Sequence, residues 1–178
     1  MPVLVVYASK HGSTRGIAER IAAKLTEKGH PADARSVQEA SGLEGYNAFV
    51  IGSAAYGFHW MDEALAFVKS NSAVLKRVPV WLFSSGPLGN EATDQKGRDL
   101  LTATVPKEIP ELQGVVEARG HRVFFGALDP DTLGFAERAL RKLPAARAAL
   151  PEGDFRDWDE IDAWAAEIAS DLAGPQPE

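Results

Sequence analysis

Ser9, Lys10, His11, Gly12, Ser13 and Thr14 follow the apolar run "VVYA" and lead straight into a helical apolar period, Ile17, Ile21 and Leu25. A strand that gives way to a short hydroxyl-rich turn and then a helix gathers free backbone N–H groups and the positive end of the helix dipole at one point. Such a point is an anion site. The hydroxyls of Ser9, Ser13 and Thr14 add donors, and Gly12 lets the backbone approach closely, so a phosphate group fits best. The usual phosphate loops do not match. A nucleoside-triphosphate loop closes on Gly-Lys-Ser/Thr, whereas Gly12 is followed by Ser13 and Thr14, and the dinucleotide fingerprint G-x-G-x-x-G is missing here. A receiver domain needs an aspartate at the end of the third strand, where this chain has Gly52, Ser53 and Ala54.

The elements that must position this turn alternate strand with helix, the pattern of βαβ units and a parallel sheet covered on both faces. Strands are predicted over 2–8, 31–37, 47–53, 78–84 and 121–127, with the 31–37 segment at an edge because it opens on Pro31. Helices are predicted from about Thr14 to Lys28, where Gly29 stops the first, and over Met61–Ser70, where Met61, Leu65 and Val68 share one side. Pro106 and Pro110 break any long helix between Glu91 and Gly120. Phe135, Ala139, Leu140 and Leu143 mark a helix that Pro144 interrupts. The last helix has the clearest pattern: Asp157 caps it, Glu160 completes a capping box, and Ile161, Trp164, Ile168 and Leu172 follow at helical spacing. The expected organisation is one domain over 1–173 with a loose tail over 174–178.

Composition narrows the function. The 178 residues are 45% hydrophobic and 25% charged, as in an ordinary globular protein, with a core large enough to need no staples. With no cysteine there are no disulfides, thiolate metal sites or cysteine nucleophiles, which fits a reducing, cytoplasmic setting. A net charge of -6 argues against a general nucleic-acid partner. The start "MPVLVVY" has no basic leader, and no apolar run is long enough to span a bilayer. His11, His30, His59 and His121 show no ligand spacing, so no metal is expected, and no residue stands out as an acid, base or nucleophile for catalysis.

The stretch "YASKHGSTRGIAERIA" resembles the FMN-phosphate loop of flavodoxins, with Ser9, Gly12 and Thr14 matching that pattern in place. The resemblance implies a three-layer αβα sandwich with a five-stranded parallel sheet of order 2-1-3-4-5 and the flavin at the carboxyl ends of the strands. It also implies that the loops "GSAAYGFHW" and "SSGPLGN" converge beside the first one. By that likeness FMN is held by Ser9, Lys10, His11, Gly12, Ser13 and Thr14 at the phosphate. Around the ring it is held by Ser53, Ala54, Ala55, Tyr56, Gly57 and Trp60 from the second loop, with Ser84, Ser85, Gly86, Pro87, Leu88 and Gly89 from the third. Tyr56 and Trp60 are the stacking candidates, each also able to fill the top of the core instead.

Further along, "FFGALDPDTLGFAERALRKL" and "FRDWDEIDAWAAEIASDL" resemble the end of the bacterial menaquinone-dependent protoporphyrinogen IX dehydrogenases, in which an Asp-Trp pair, here Asp157 and Trp158, opens the last helix. This implies an FMN oxidoreductase passing electrons to a quinone, with a porphyrinogen or a quinone as its small-molecule partner. The corresponding basic segment is shorter here, so another substrate stays open. Other readings are an electron carrier serving redox proteins and a flavin-free binding protein of the same fold. Glu91 is the only acid close to the third loop, so the flavin potential is expected to be less depressed than in a carrier. Residues 134–150 carry Arg138, Arg141, Lys142 and Arg147 against Glu137. Such a concentration suits anionic headgroups at a membrane surface, porphyrin propionates or an acidic redox partner, while a merely solvated helix face is the simpler account.

Overall fold

The computed structural model describes residues 2–174. The predicted loose tail therefore lies, beyond Gly174, outside the described residues. Strands β1 (Val3–Ala8), β2 (Ala32–Ser36), β3 (Ala48–Tyr56), β5 (Val80–Ser85) and β6 (Gly120–Phe124) form one parallel sheet ordered β2-β1-β3-β5-β6. This is the expected 2-1-3-4-5 order, with a two-residue strand β4 (His59–Trp60) inserted as an antiparallel partner of β3. The alternation of period two is lost in β1 and β3, whose residues are buried on both faces, because helices cover each side.

One face is covered by α1 (Ser13–Glu27) and by α8 (Trp158–Ala173). Ile17, Ile21 and Leu25 meet Ile161, Trp164 and Ile168 there, over Val3, Val5 and Val50. A bidentate pair from Arg20 to Asp162, both contacts at 2.6 Å, crosses between the two helices. The opposite face is covered by α2 (Asp62–Ser70), the single turn α3 (Ser72–Leu75) and α5 (Ile109–Val116), which bury Phe67, Val68, Leu75 and Leu112 against Leu4, Phe49, Ile51 and Leu82. Pro110 starts α5 instead of breaking it, since the first turn needs no N–H from it. A second single turn, α4 (Leu100–Ala103), is capped by Asp99, which accepts the Thr102 N–H.

Three local expectations change. The segment 53–60 is not an open loop. β3 continues to Tyr56 and folds back through Gly57 and Phe58, both at positive φ, so that Tyr56 pairs with His59. The final capping box is half made: Asp157 accepts the Glu160 N–H at 3.0 Å, but the Glu160 carboxylate turns to Arg122 at 3.5 Å. After β6 the chain leaves the sheet through β7 (Ala127–Leu128), runs through α6 (Phe135–Leu140) and α7 (Pro144–Ala149), and returns by β8 (Gly153–Asp154), which pairs antiparallel with β7. Pro144 opens the second of these short helices where a single interrupted helix is predicted.

Candidate functional site

The register of the sheet decides which loops meet. Ala8 lies beside Ser53, and Ala54 beside Ser85, so the chain ends of β1, β3 and β5 open on one edge. Gly12 begins α1 at φ +87, a conformation that favours glycine, and offers no capping side chain. Its own N–H goes to Ser9 Oγ at 3.0 Å, which folds the turn back on itself. The first turn of α1 thus presents its N–H groups at the edge of the sheet.

These loops enclose a cleft of about 160 Å³. Ser9, His11, Ser13 and Thr14 line one end of it, Ala54, Ala55 and Tyr56 one side, and Ser85, Gly86 and Leu88 the other. Thr14 is 1% exposed, and its hydroxyl oxygen has no hydrogen-bond partner among the described residues. A buried hydroxyl that lines a cleft without a partner marks a place where a ligand atom belongs, because leaving it unpaired costs about 1–3 kcal/mol. A Cβ added at Gly126 would come within 3.4 Å of both Ser13 Oγ and Ser85 Oγ, so the absence of a side chain there keeps the cleft open between the two loops.

Other residues of the three loops stay out of the cleft. Trp60 is 2% exposed and sits in the core under α2. Its indole N–H is donated to Ser84 Oγ at 2.7 Å, and Ser84 in turn lies 2.8 Å from His121 Nε2. This buried chain consumes the polar groups of both Trp60 and Ser84, and burial pushes the His121 imidazole down to about 4. Ser53 is also buried, its hydroxyl donated to the Ala54 carbonyl at 2.8 Å and accepting the Met61 N–H at 3.1 Å. Gly57 forms the tip of the hairpin. Pro87 accepts the Gly126 N–H at 2.9 Å, and Gly89 takes a left-handed turn. Lys10 is not part of the lining but pairs at 2.5 Å with Glu137, which is. The second-loop aromatic that does reach the cleft is Tyr56, 49% exposed, whose phenol is raised by burial and by the charge of Glu137.

The remaining wall comes from the end of β6 and the excursion behind it: Gly126, Ala127, Leu128, Leu133, Glu137 and Leu150. None of these residues lies in the three loops that the sequence pattern marks. The fifth parallel strand also ends at that edge, and its "GAL" segment was the available signal. Ala127 N–H donates to Ser13 Oγ at 2.8 Å, and Arg156 donates to the Ser13 carbonyl at 3.3 Å, so the excursion is tied at both ends to the start of α1. Glu137 replaces Glu91 as the acid of this site. Lys10 above all, then the Gly134 N–H, holds its carboxyl down at about 2. At the outer rim His59 Nδ1 and Glu108 lie 2.5 Å apart; burial raises Glu108, but hydrogen bonds from His59 and from the Trp60 N–H outweigh it and leave the group lowered. No helix among the described residues is long and apolar enough to cross a membrane.

The family model described as "Flavodoxin domain" matches residues 4–148. Among solved structures, a flavodoxin from the domain Archaea is 16% identical, with a TM-score of 0.57 over 97% of this chain and 99% of that one. A cysteine-to-serine variant of flavodoxin from Pseudomonas aeruginosa is 17% identical, with a TM-score of 0.60 over 98% of this chain and 100% of that one. Rubredoxin oxygen:oxidoreductase from Desulfovibrio gigas is 12% identical, with a TM-score of 0.60, and this chain covers 36% of its length. At these identities the likeness establishes the shared fold.

Proposed function

We propose, from the premise that the chain belongs to the flavodoxin-domain family and that its cofactor is FMN, that it passes electrons through FMN to a quinone in the manner of the protoporphyrinogen dehydrogenases it resembles. FMN supplies the redox chemistry when bound. The chain's own residues bind, orient and exclude water. The Thr14 hydroxyl, the first-turn N–H groups of α1 and the hydroxyls of Ser9 and Ser13 would hold the phosphate. The Ala54, Ala55 and Gly86 backbone would border the ring's polar edge, with Tyr56 against its flat face.

One observation supports an enzyme over a carrier: the cleft is roofed by Leu133 and Leu150 of the excursion. An apolar roof narrows the approach to a small apolar partner and keeps water from the reacting edge. The carrier reading draws support from the hairpin beside the cleft, where Tyr56 and Phe58 leave half their surface exposed for a redox protein to meet. A second contact is proposed for the excursion itself, at an anionic membrane surface. It exposes Phe135, Leu140 and Leu143 together with Lys142 and Arg147, the pairing of apolar and cationic groups that an interface accepts.

The purified protein is expected to be yellow with a flavin spectrum, and to oxidise protoporphyrinogen when a menaquinone analogue is the acceptor. A coloured protein that is inert in this assay but exchanges electrons rapidly with a ferredoxin reductase would establish the carrier. A colourless protein that takes up no added FMN would refute both.

A further inference from the structure

Glu137 stands beside the turn proposed to hold the cofactor's phosphate. The residue belongs to α6, far along the chain from the phosphate turn, yet its Oε1 lies 2.5 Å from Lys10 Nζ and 3.4 Å from His11 Nε2. Its Oε2 accepts the Gly134 N–H at 3.0 Å. The same carboxylate lines the cleft together with Ser9, Ser13 and Thr14. Beside them Thr14 Oγ1, buried and unpartnered, is still waiting for an acceptor. The excursion is fastened to this turn by little else at its middle: His11 Nδ1 lies 3.1 Å from the Thr132 carbonyl oxygen, while α6 and α7 bury no residue of their own.

We propose that Glu137 is an internal anion that occupies the Lys10 ammonium and the His11 ring of the phosphate turn when the cleft holds no ligand, and that a bound phosphate group takes both from it and frees α6 from the cleft. The inference rests on the FMN reading for its physiological ligand and on nothing else in that reading. A dianion brings more charge to Lys10 than one carboxylate does, and the first turn of α1 adds N–H donors that Glu137 does not engage. Once phosphate is seated, a carboxylate left beside it is repelled, so the pair cannot both stay. Loading the cofactor would therefore loosen α6, while Leu133 and Leu150, which lie outside that helix, go on lining the cleft.

Glu137→Gln tests this, because the amide oxygen can keep the Gly134 N–H while the charge is lost. Titration calorimetry with inorganic phosphate and with FMN is expected to show binding about two- to fivefold tighter than in the parent, the order of one partly exposed ion pair. Riboflavin, which lacks the phosphate, should change less than twofold. In a Lys10→Gln background the same substitution should lose most of its effect, since exchange acts through Lys10. Trypsin cleavage in the excursion, at Arg138, Arg141 or Lys142, should accelerate when phosphate is added to the parent and be fast from the start in Glu137→Gln. Unchanged or weaker phosphate binding, an effect that persists without Lys10, or slower cleavage with phosphate would each overturn the exchange. The two readings fail separately. Tighter phosphate binding without any FMN uptake sustains the exchange and sinks the flavin, whereas equal FMN affinity in both proteins sinks the exchange alone.

Discussion

Helix α8 and the pair α6–α7 carry the same kind of apolar spacing, yet only α8 buries it. Along α8, Ile161, Trp164, Ile168 and Leu172 all close on the sheet, and Trp164 meets Phe83 and Phe124 edge-on at 6.2 and 5.5 Å. Along α6 and α7, Phe135 is 91% exposed, and Leu140 and Leu143 keep more than half their surface. Apart from buried Leu133, what holds the excursion is polar: Lys10 with Glu137, Arg141 with Glu152 at 3.2 Å, Arg138 on the Asp131 carbonyl at 2.6 Å, and the β7–β8 pair at its base. Burial fixes α8, whereas charge and a few hydrogen bonds position the excursion. The second arrangement is weak by construction, since exposed ion pairs contribute about 0–1 kcal/mol each. It suits a segment that has to move.

The sharpest break between the two is expected from truncation. Trp164→Ala should cost about 3–5 kcal/mol in denaturant unfolding, because it opens a cavity in the aromatic cluster under α8. A loss under 1 kcal/mol would show that α8 is not the anchor described here.

Acid should separate the regions next. His121, pushed down from 6.5 to about 4 by burial, belongs to the sheet framework. The unfolded chain binds a proton there more readily than the folded one, so the stability is whole above pH 6.5 and is lost as pH falls to about 4. The loss is about 3 kcal/mol for this one group. Glu137 is lowered from 4.5 to about 2, so the contact of the excursion with Lys10 survives that range and is lost only as pH falls from 4.5 towards 2. Unfolding curves against pH, with His121→Gln flattening the upper window, check the order. Acid loosening of the excursion before the framework would reverse it.

The smallest effect belongs to Phe135→Ser. It should change stability by less than about 0.5 kcal/mol, the norm for an exposed site, while reducing co-flotation with vesicles that contain anionic lipid. A stability loss above 1 kcal/mol would mean that Phe135 packs within the fold after all.

The same contrast explains what could be read from the sequence. Alternating elements, Pro31 at an edge and the apolar spacing of α1 and α8 report burial against a sheet, and burial leaves a periodic trace, so the strands and these two helices were legible, while the strand order came with the resemblance to flavodoxins. The spacing of Phe135, Ala139 and Leu143 gave an equally good trace with no surface to receive it. Trp60 takes the second of its two readings, filling the core. Its place in a loop beside Tyr56 suggested stacking, but β3 runs on to Tyr56 and turns the next aromatic back into the core, where Ser84 takes its N–H. Glu137 was out of reach because its role depends on a long-range approach to Lys10 that no local pattern encodes.

The clasp of β7 on β8 brings Leu128 and Gly153 side by side, so residues 129–152 leave and re-enter the domain at neighbouring points. A segment anchored this way behaves as an interchangeable cassette. Its length or chemistry can drift at little entropic penalty, because closing a longer loop costs only about 0.6 kcal/mol per doubling. Grafting a different span between those two residues would hand the same redox scaffold a new clientele without disturbing a single rung of the sheet.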